Sequence, residues 1–275
     1  LVTGVQTCAL PISSKDKPAT SSSDFTYIND TLKRGDIIAV RGVPYRTSTG
    51  ELSLRARGTE LVSPCLHSVP APGTLVDKDL RYRFRHVDLM SNPEVHQIFL
   101  ARSTIMNTLR QFLNNRQFIE VETPMLSPFS GGAAARPFST HMLAQDANLY
   151  LRIAPELYLK QLVIGGIERV YEIGKSFRNE GVDTTHNPEF TTCEFYQAYA
   201  NYEDLMATTQ EFLKTAALAV NKVMRPELVG TEAEFSVTID IPSKGSLPAL
   251  PGTKIDFSKP FRRINLVEEI ERNLG

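Results

Sequence analysis

The sequence predicts an α+β fold, a largely antiparallel sheet with flanking helices preceded by a smaller β module. Three observations carry that prediction. Residues 170–199 alternate as two strands joined by a loop. Stretches beginning near residues 92 and 203 place apolar residues at helical spacing, and residues 36–57 read as a separate hairpin.

A chain of 275 residues has room for a full core and a second small domain. Its formal net charge of -1 excludes a global basic signature, so any nucleic-acid partner has to be argued from local patches. Cys8, Cys65 and Cys193 are too widely spaced for a disulfide framework or a zinc site, and they suit a reducing compartment. No apolar run approaches membrane-spanning length, so no membrane association is expected.

In chain order, residues 1–13 open on Leu1 and lack the basic start and cleavage site of a signal peptide. They read as an artefact of sequencing or cloning, with a genuine disordered leader as the alternative. Residues 1–24 together form the leader, its second half rich in Ser, Lys and Asp and expected to be flexible. Residues 25–67 turn to β pattern, with apolar-rich runs at 36–43 and 51–57 on either side of a Thr47-Ser48-Thr49-Gly50 turn. Arg41, Arg46, Arg55 and Arg57 offer phosphate contacts, although solvated strand charges are their simpler reading.

Residues 68–91 read as a linker, first rich in Pro and Gly and then basic at Arg81, Arg83 and Arg85. Asn92-Pro93 supplies a cap and a first-turn proline for a helix whose stripe is Ile98, Phe99, Ile105, Met106, Leu109, Phe112 and Leu113. A strand ending at Pro124 follows. Glu156 sits just after Pro155 at a helix start, where a carboxylate also favours the helix dipole. A further helix over 203–224 packs Leu205, Met206, Phe212, Leu213, Ala216, Val220 and Val223 on one stripe, and residues 242–251 read as a surface loop.

The chemistry concentrates in the 170–199 hairpin. Side chains alternate across a strand, so Tyr171, Ile173 and Phe177 share one side while Glu172, Arg178 and Glu180 share the other. In the second strand Phe190, Thr192, Glu194 and Tyr196 share a face, opposite Thr191, Cys193 and Phe195. Pairing the strands gathers an arginine, carboxylates, an aromatic ring and a phenol on one side. A cross-strand salt-bridge ladder on a wet face is the alternative. The His186-Asn187-Pro188 loop favours a site, because such loops place functional groups at the mouth of a rigid hairpin.

Phe177-Arg178-Asn179-Glu180 followed by His186 and Phe190 resembles motif 2 of class II aminoacyl-tRNA synthetases, and the run through Glu194-Phe195-Tyr196-Gln197-Ala198-Tyr199 resembles their lysine-specific members. Phe118-Ile119-Glu120-Val121-Glu122-Thr123-Pro124 is similar to the end of motif 1. Gly131-Gly132-Ala133-Ala134-Ala135-Arg136-Pro137-Phe138 and Leu151-Arg152-Ile153-Ala154-Pro155-Glu156-Leu157-Tyr158 are similar to the lysine-enzyme segments between the two motifs. The resemblance covers roughly residues 30–275 and is more specific than any single short motif.

That resemblance implies a catalytic domain over 92–275, with residues 25–67 as the later strands of an OB-fold anticodon-binding domain. It implies activation of L-lysine by ATP to lysyl-adenylate, then transfer to the 3′ end of tRNA(Lys). Arg178 would contact the α-phosphate, Glu180 the adenine amino group, His186 the γ-phosphate and Phe190 the adenine face. For Phe190, core packing is the plainer alternative. Glu156 and Glu194 would meet the α-amino end of lysine, Tyr196 would reach toward the ε-ammonium, and the Gly132 backbone would line the pocket. The resemblance also implies a homodimer through motif 1, whereas periodicity alone leaves an ordinary core helix open.

No Gly-x-Gly-x-(Asp/Glu)-Arg motif 3 is present among the 275 residues. Its arginine, the acidic ligands of Mg2+ and the glutamate for the ε-ammonium are expected beyond Gly275. These residues alone are therefore expected to be inactive, and no metal ligand is assigned within them. Competing readings are an aspartate or asparagine enzyme of the same class and a non-catalytic nucleotide- or tRNA-binding scaffold derived from a synthetase. The elongation-factor-modifying paralogue lacks the β module. Compartment, cytoplasmic or mitochondrial, is left open.

Overall fold

The computed structural model describes residues 30–183, 185–241 and 250–274. The leader over residues 1–24 and most of the 242–251 loop therefore lie outside the described residues. The chain divides into two compact units, with the division after Leu100.

In the first unit, β1 (Ile37–Arg46) and β2 (Leu52–Ser63) form an antiparallel hairpin. Its turn is closed by the Gly50 amide on the Thr47 carbonyl, and Gly50 takes a φ of 85°, which glycine adopts without strain. The register slips between Arg41 and Gly42, where a Cβ on Gly42 would stand 2.1 Å from the Arg55 carbonyl oxygen. Glycine is what lets the two backbones meet at this bulge. Among the described residues the hairpin is a two-stranded sheet, and no closed barrel is found.

The 68–91 stretch contains two short helices, α1 (Lys78–Arg83) and α2 (Arg85–Ser91). The buried Asp88 joins them, accepting from Arg81 Nε at 2.7 Å, Arg85 Nη1 at 2.5 Å and Asn92 Nδ2 at 2.8 Å. Asn92 thus differs from the expected helix cap. Its side-chain amide turns back to Asp88 and the Leu75 carbonyl instead. A buried carboxylate needs that many donors to keep its charge.

Helix α3 (Glu94–Asn114) leads into the second unit. There β3 (Ile119–Glu120) pairs parallel with β7 (Arg169–Phe177), and β7 pairs antiparallel with β8 (Glu189–Gln197), giving the order β3-β7-β8. A second sheet is built from β4 (Leu126–Ser127), β5 (Ser139–Met142) and β6 (Ala147–Leu151) in the order β4-β6-β5, all antiparallel. Helix α4 (Glu156–Ile164) connects β6 to β7. After β8 come α5 (Tyr202–Met224), the hairpin β9 (Ser236–Ile241) and β10 (Leu250–Asp256), and α6 (Leu266–Leu274).

The core lies on the odd face of β7 and β8. Phe112, Leu113, Phe118 and Tyr171 are buried, with Leu109, Ile173, Cys193, Phe195 and Phe212 packed against them. Edge-to-face pairs lock it together, Phe112 on Phe212 at 5.5 Å and Phe118 on Phe195 at 5.7 Å between centroids. Burial drives the Cys193 thiol up to about 12, so it is held as a protonated, inert core group.

The helical stripes expected from the sequence divide in two. Along α3, Leu109, Phe112 and Leu113 enter the core, while Ile98 and Phe99 are 65% and 51% exposed and Ile105 is exposed as well. Along α5, Phe212 and Ala216 are covered, but Leu205, Met206 and Val223 face solvent. Helix α5 starts at a capping box, in which the Asn201 side chain accepts from Asp204 N and Asp204 answers the Asn201 amide. Asn201→Ala is expected to lower stability by about 1 kcal/mol, read as a shift in the urea midpoint with an unchanged slope.

Candidate active site

The face of the hairpin opposite the core carries the site. Register pairs Glu172 with Glu194, Gly174 with Thr192 and Ser176 with Phe190. Residues directly opposite point to the same side, so the even positions of both strands share this face. Of the gathering anticipated from alternation, the pairing brings Glu172, Phe190, Glu194 and Tyr196 to one face, Arg178 follows just beyond β7, and Glu180 falls outside it.

Its acidic end is built by three segments. Glu156 opens α4, immediately after a buried Ile153-Ala154-Pro155 run. Glu194 and Tyr196 come from β8, and the Tyr196 hydroxyl donates to Glu194 Oε2 at 3.1 Å. Gly132, on the loop before β5, packs against Glu156 and Ala154, and a Cβ there would sit 3.1 Å from Glu156 Cβ. Gly132 also has a φ of 90°, which a side chain would strain, so both its conformation and its space require glycine.

Charge is concentrated at this end. Burial pushes the Glu194 carboxyl above its ordinary value, and the negative charges of Glu156 and Glu172 add to that, opposed by the Tyr196 hydroxyl and by Arg152. Burial also raises the Tyr196 phenol, and the adjoining Glu194 and Glu156 carboxylates push it further, so it stays a neutral donor. Lys160, one helical turn after Glu156, bonds Glu156 Oε1 at 2.5 Å.

The other end is cationic and aromatic. Arg178 follows β7 directly, and its guanidinium carbon lies 5.1 Å from the centre of the Phe190 ring. Among the described residues the buried Arg178 Nε has no hydrogen-bond partner, which marks a donor held ready for an acceptor. Phe190 and Glu194 are four residues apart on β8, so the two ends are separated by about 13 Å along the strand. Between them on this face lie Gly174 and Thr192, with the Arg152 guanidinium in the space a Gly174 side chain would fill.

Glu180 and His186 are placed elsewhere, both exposed on the connection between the strands. His186 Nδ1 lies 2.9 Å from Asp183 Oδ1, and Asp183 also accepts from the Thr185 and His186 amides. Those donors, with the Thr185 amide first, hold the Asp183 carboxyl well below the usual range.

Along the same face runs an ion pair whose partnership the sequence did not reveal. Arg152 Nη1 meets Glu172 Oε1 at 2.5 Å, with both side chains nearly inaccessible at 3% and 4%. Arg152 also donates from Nε to the Lys175 carbonyl and from Nη1 to Thr123 Oγ1, and the Thr123 hydroxyl donates to Glu172 Oε2 at 2.6 Å. Gly174 makes the slot, since a Cβ there would fall 2.3 Å from Arg152 Nη2. The one available signal was a charge inside the apolar Leu151-Arg152-Ile153-Ala154 run.

The hairpin thus bears Arg178 beside Phe190 at one end and a cluster of carboxylates at the other, and the class of protein to which this stretch belongs is that of the class II tRNA synthetases. Residues 77–274 match the family model for tRNA synthetases class II (D, K and N), and the chain belongs to that family. The curated relatives it resembles are lysine–tRNA ligases. It is 44% identical over 249 residues to the probable cytoplasmic lysine–tRNA ligase of Enterocytozoon bieneusi, covering 90% of this chain and 46% of that protein. It is 45% identical over 246 residues to the lysine–tRNA ligase of Clostridium novyi, covering 89% and 44%. With that of Teredinibacter turnerae it shares 47% over 241 residues, covering 87% and 45%. The chain spans a little under half the length of these curated relatives.

Proposed function

We propose that this chain carries part of a lysine–tRNA ligase and contributes the site at which L-lysine is activated by ATP. The observation that carries the reading is the polarity of the strip along β8, with Glu156, Glu194 and Tyr196 at one end and Arg178 over Phe190 at the other. An amino acid bound with its ammonium at the acidic end points its carboxylate toward Arg178. An adenine stacked on Phe190 brings the α-phosphate to the same guanidinium.

A carboxylate oxygen of lysine then attacks the α-phosphorus. One P–O bond forms, the bond to pyrophosphate breaks, and lysyl-adenylate results. The chain's own contribution is to hold the reactants in line and to place a permanent positive charge on the phosphoryl oxygens. Glu180 and His186 are assigned to the adenine amino group and the γ-phosphate, which requires their exposed loop to close over bound nucleotide. The family generally works with Mg2+. No group of three His, Cys, Asp or Glu that could hold a metal ion exists among the described residues, so no step is routed through one here.

The later step, transfer to the 3′ end of tRNA(Lys), belongs to the same proposal, with the β1–β2 hairpin as part of an OB-type anticodon-binding module over residues 25–67 and the catalytic domain over 92–275. The exposed apolar residues Ile98, Phe99, Leu100 and Ile105 of α3 support a homodimer. No helix among the described residues is long and apolar enough to cross a membrane.

The deciding experiment is lysine-dependent exchange of pyrophosphate into ATP by the full-length enzyme, with aspartate and asparagine as competitors. Exchange driven by aspartate in preference to lysine would overturn the reading. Within it, Glu194→Gln is expected to raise the KM for lysine at least about tenfold while leaving that for ATP little changed. Because the folded-state carboxyl is raised, lysine affinity should fall with acidification sooner than for an ordinary glutamate. The same raised value means that ionised Glu194 opposes folding, and that penalty is absent below the unfolded value and appears as pH rises through the folded one. Glu194→Gln should therefore be neutral to stabilising at pH 7 in a thermal melt, even as lysine binding weakens.

A further inference from the structure

Lys160 lies on α4 with its ammonium beside Glu156, at the acidic end of the strip. Its Nζ bonds Glu156 Oε1 at 2.5 Å and stands 5.9 Å from the centre of the Tyr196 ring. These two contacts come from different elements, the helix and strand β8, and both partners belong to the amino-acid end of the proposed site. A Glu–Lys pair four residues apart is common on helix surfaces and contributes little there. Here the pair does not simply face water, because Tyr196 from β8 is its second neighbour.

We propose that Lys160 is a specificity-determining residue, a tethered ammonium that pairs with Glu156 and that a substrate ammonium must displace. The inference deepens the lysine-activation reading and rests on it. An alkylammonium between a carboxylate and an aromatic face is the environment a lysine substrate also seeks, so the chain supplies its own competitor. Glu156 and Glu194 would otherwise crowd negative charge at one end of the site, Glu172 being already paired with Arg152. Lys160 relieves that crowding until substrate arrives.

Leaving is easy for it. The Lys160 side chain is 52% exposed, and its four-carbon stem can carry the charge into water with little loss. A ligand that brings a cation to Glu156 replaces the ion pair it breaks. A neutral or anionic ligand strands the carboxylate, or leaves Lys160 in place and meets a filled pocket. The resident ammonium thus lowers the affinity for every ligand and lowers it least for cations.

The test is the equilibrium binding of L-lysine, by calorimetry, to the full-length enzyme and to its Lys160→Met and Lys160→Arg variants, with ATP titrated separately. Methionine keeps most of the stem and removes the charge. Since the lost pair is partly exposed, Lys160→Met is expected to bind lysine about two- to fivefold tighter, with ATP affinity unchanged and Lys160→Arg close to the unsubstituted enzyme. Equal or weaker lysine binding by Lys160→Met would overturn the inference, the first marking a merely solvated pair and the second a lysine that stays in place. Failure of the unsubstituted enzyme to bind lysine would remove the site reading itself, and with it the inference. The two failures are thus distinguishable in one set of titrations.

Discussion

Replacing Arg152 with methionine is expected to lower the unfolding free energy by about 3–5 kcal/mol, the largest stability loss of any single change considered for this chain. The guanidinium is buried, and it joins three segments far apart in sequence. Thr123 follows β3, Arg152 follows β6, and Glu172 and Lys175 belong to β7. Removing it leaves the Glu172 carboxylate buried with the Thr123 hydroxyl as its remaining donor, and the cost is that of an uncompensated charge more than of a lost contact. The comparison that isolates this is the double variant with Glu172→Leu. It should recover a large part of the loss, because both charges then leave together. Urea denaturation of the full-length protein, followed by a probe in the catalytic domain, reads both. A loss under about 1 kcal/mol for the single variant would mean that the carboxylate finds water or a proton, and that the pair does not hold the floor of the site.

The same residue shows where legibility in the sequence ends. The two faces of the 170–199 hairpin could be read in advance, since a period of two assigns every side chain once the pairing is known, and the observed register keeps Glu172, Phe190, Glu194 and Tyr196 together. Arg152 stood in plain sight, but its partner lies twenty positions away on another strand, and no periodicity connects them. Gly174 shows the same limit, because nothing local indicates that its missing side chain makes room for a guanidinium. Helical spacing correctly grouped residues of α3 and α5 without saying what covers them. Leu109 and Phe112 found the core, whereas Ile98 and Leu205 did not. Spacing specifies a face, and the occupant of that face is a tertiary fact. Two-residue strands such as β3 and β4 are too short to show alternation at all. Glu180 and His186 matched a motif, but the loop that carries them holds them in solvent.

For activity, the largest effect is expected from Arg178→Ala, a fall of about 10^2–10^3 in the rate of lysine-dependent pyrophosphate exchange, the range seen when one preorganised charge-stabilising donor is removed. Arg178 lies over Phe190, and its buried Nε has no partner among the described residues, so the site presents a donor whose hydrogen bond is unmade. Such a donor gains most when charge builds on the phosphoryl oxygens, and its loss should therefore appear in kcat more than in the KM for lysine. Arg178→Lys is not a conservative change at this position. An ammonium keeps the charge but loses the planar fork that can bond two oxygens and lie flat on an aromatic ring, so it should recover only a small part of the lost rate. Phe190→Ala separates the two duties of that ring. If Phe190 serves as the adenine platform and as the support for Arg178, both KM for ATP and kcat change. If it only fills space beneath the strand, stability falls and the kinetic constants of the folded enzyme stay close to their original values. An Arg178→Ala enzyme that turned over within a few-fold of the unsubstituted rate would place the phosphoryl-stabilising charge on another residue, and the polarity assigned to the strip along β8 would have to be abandoned.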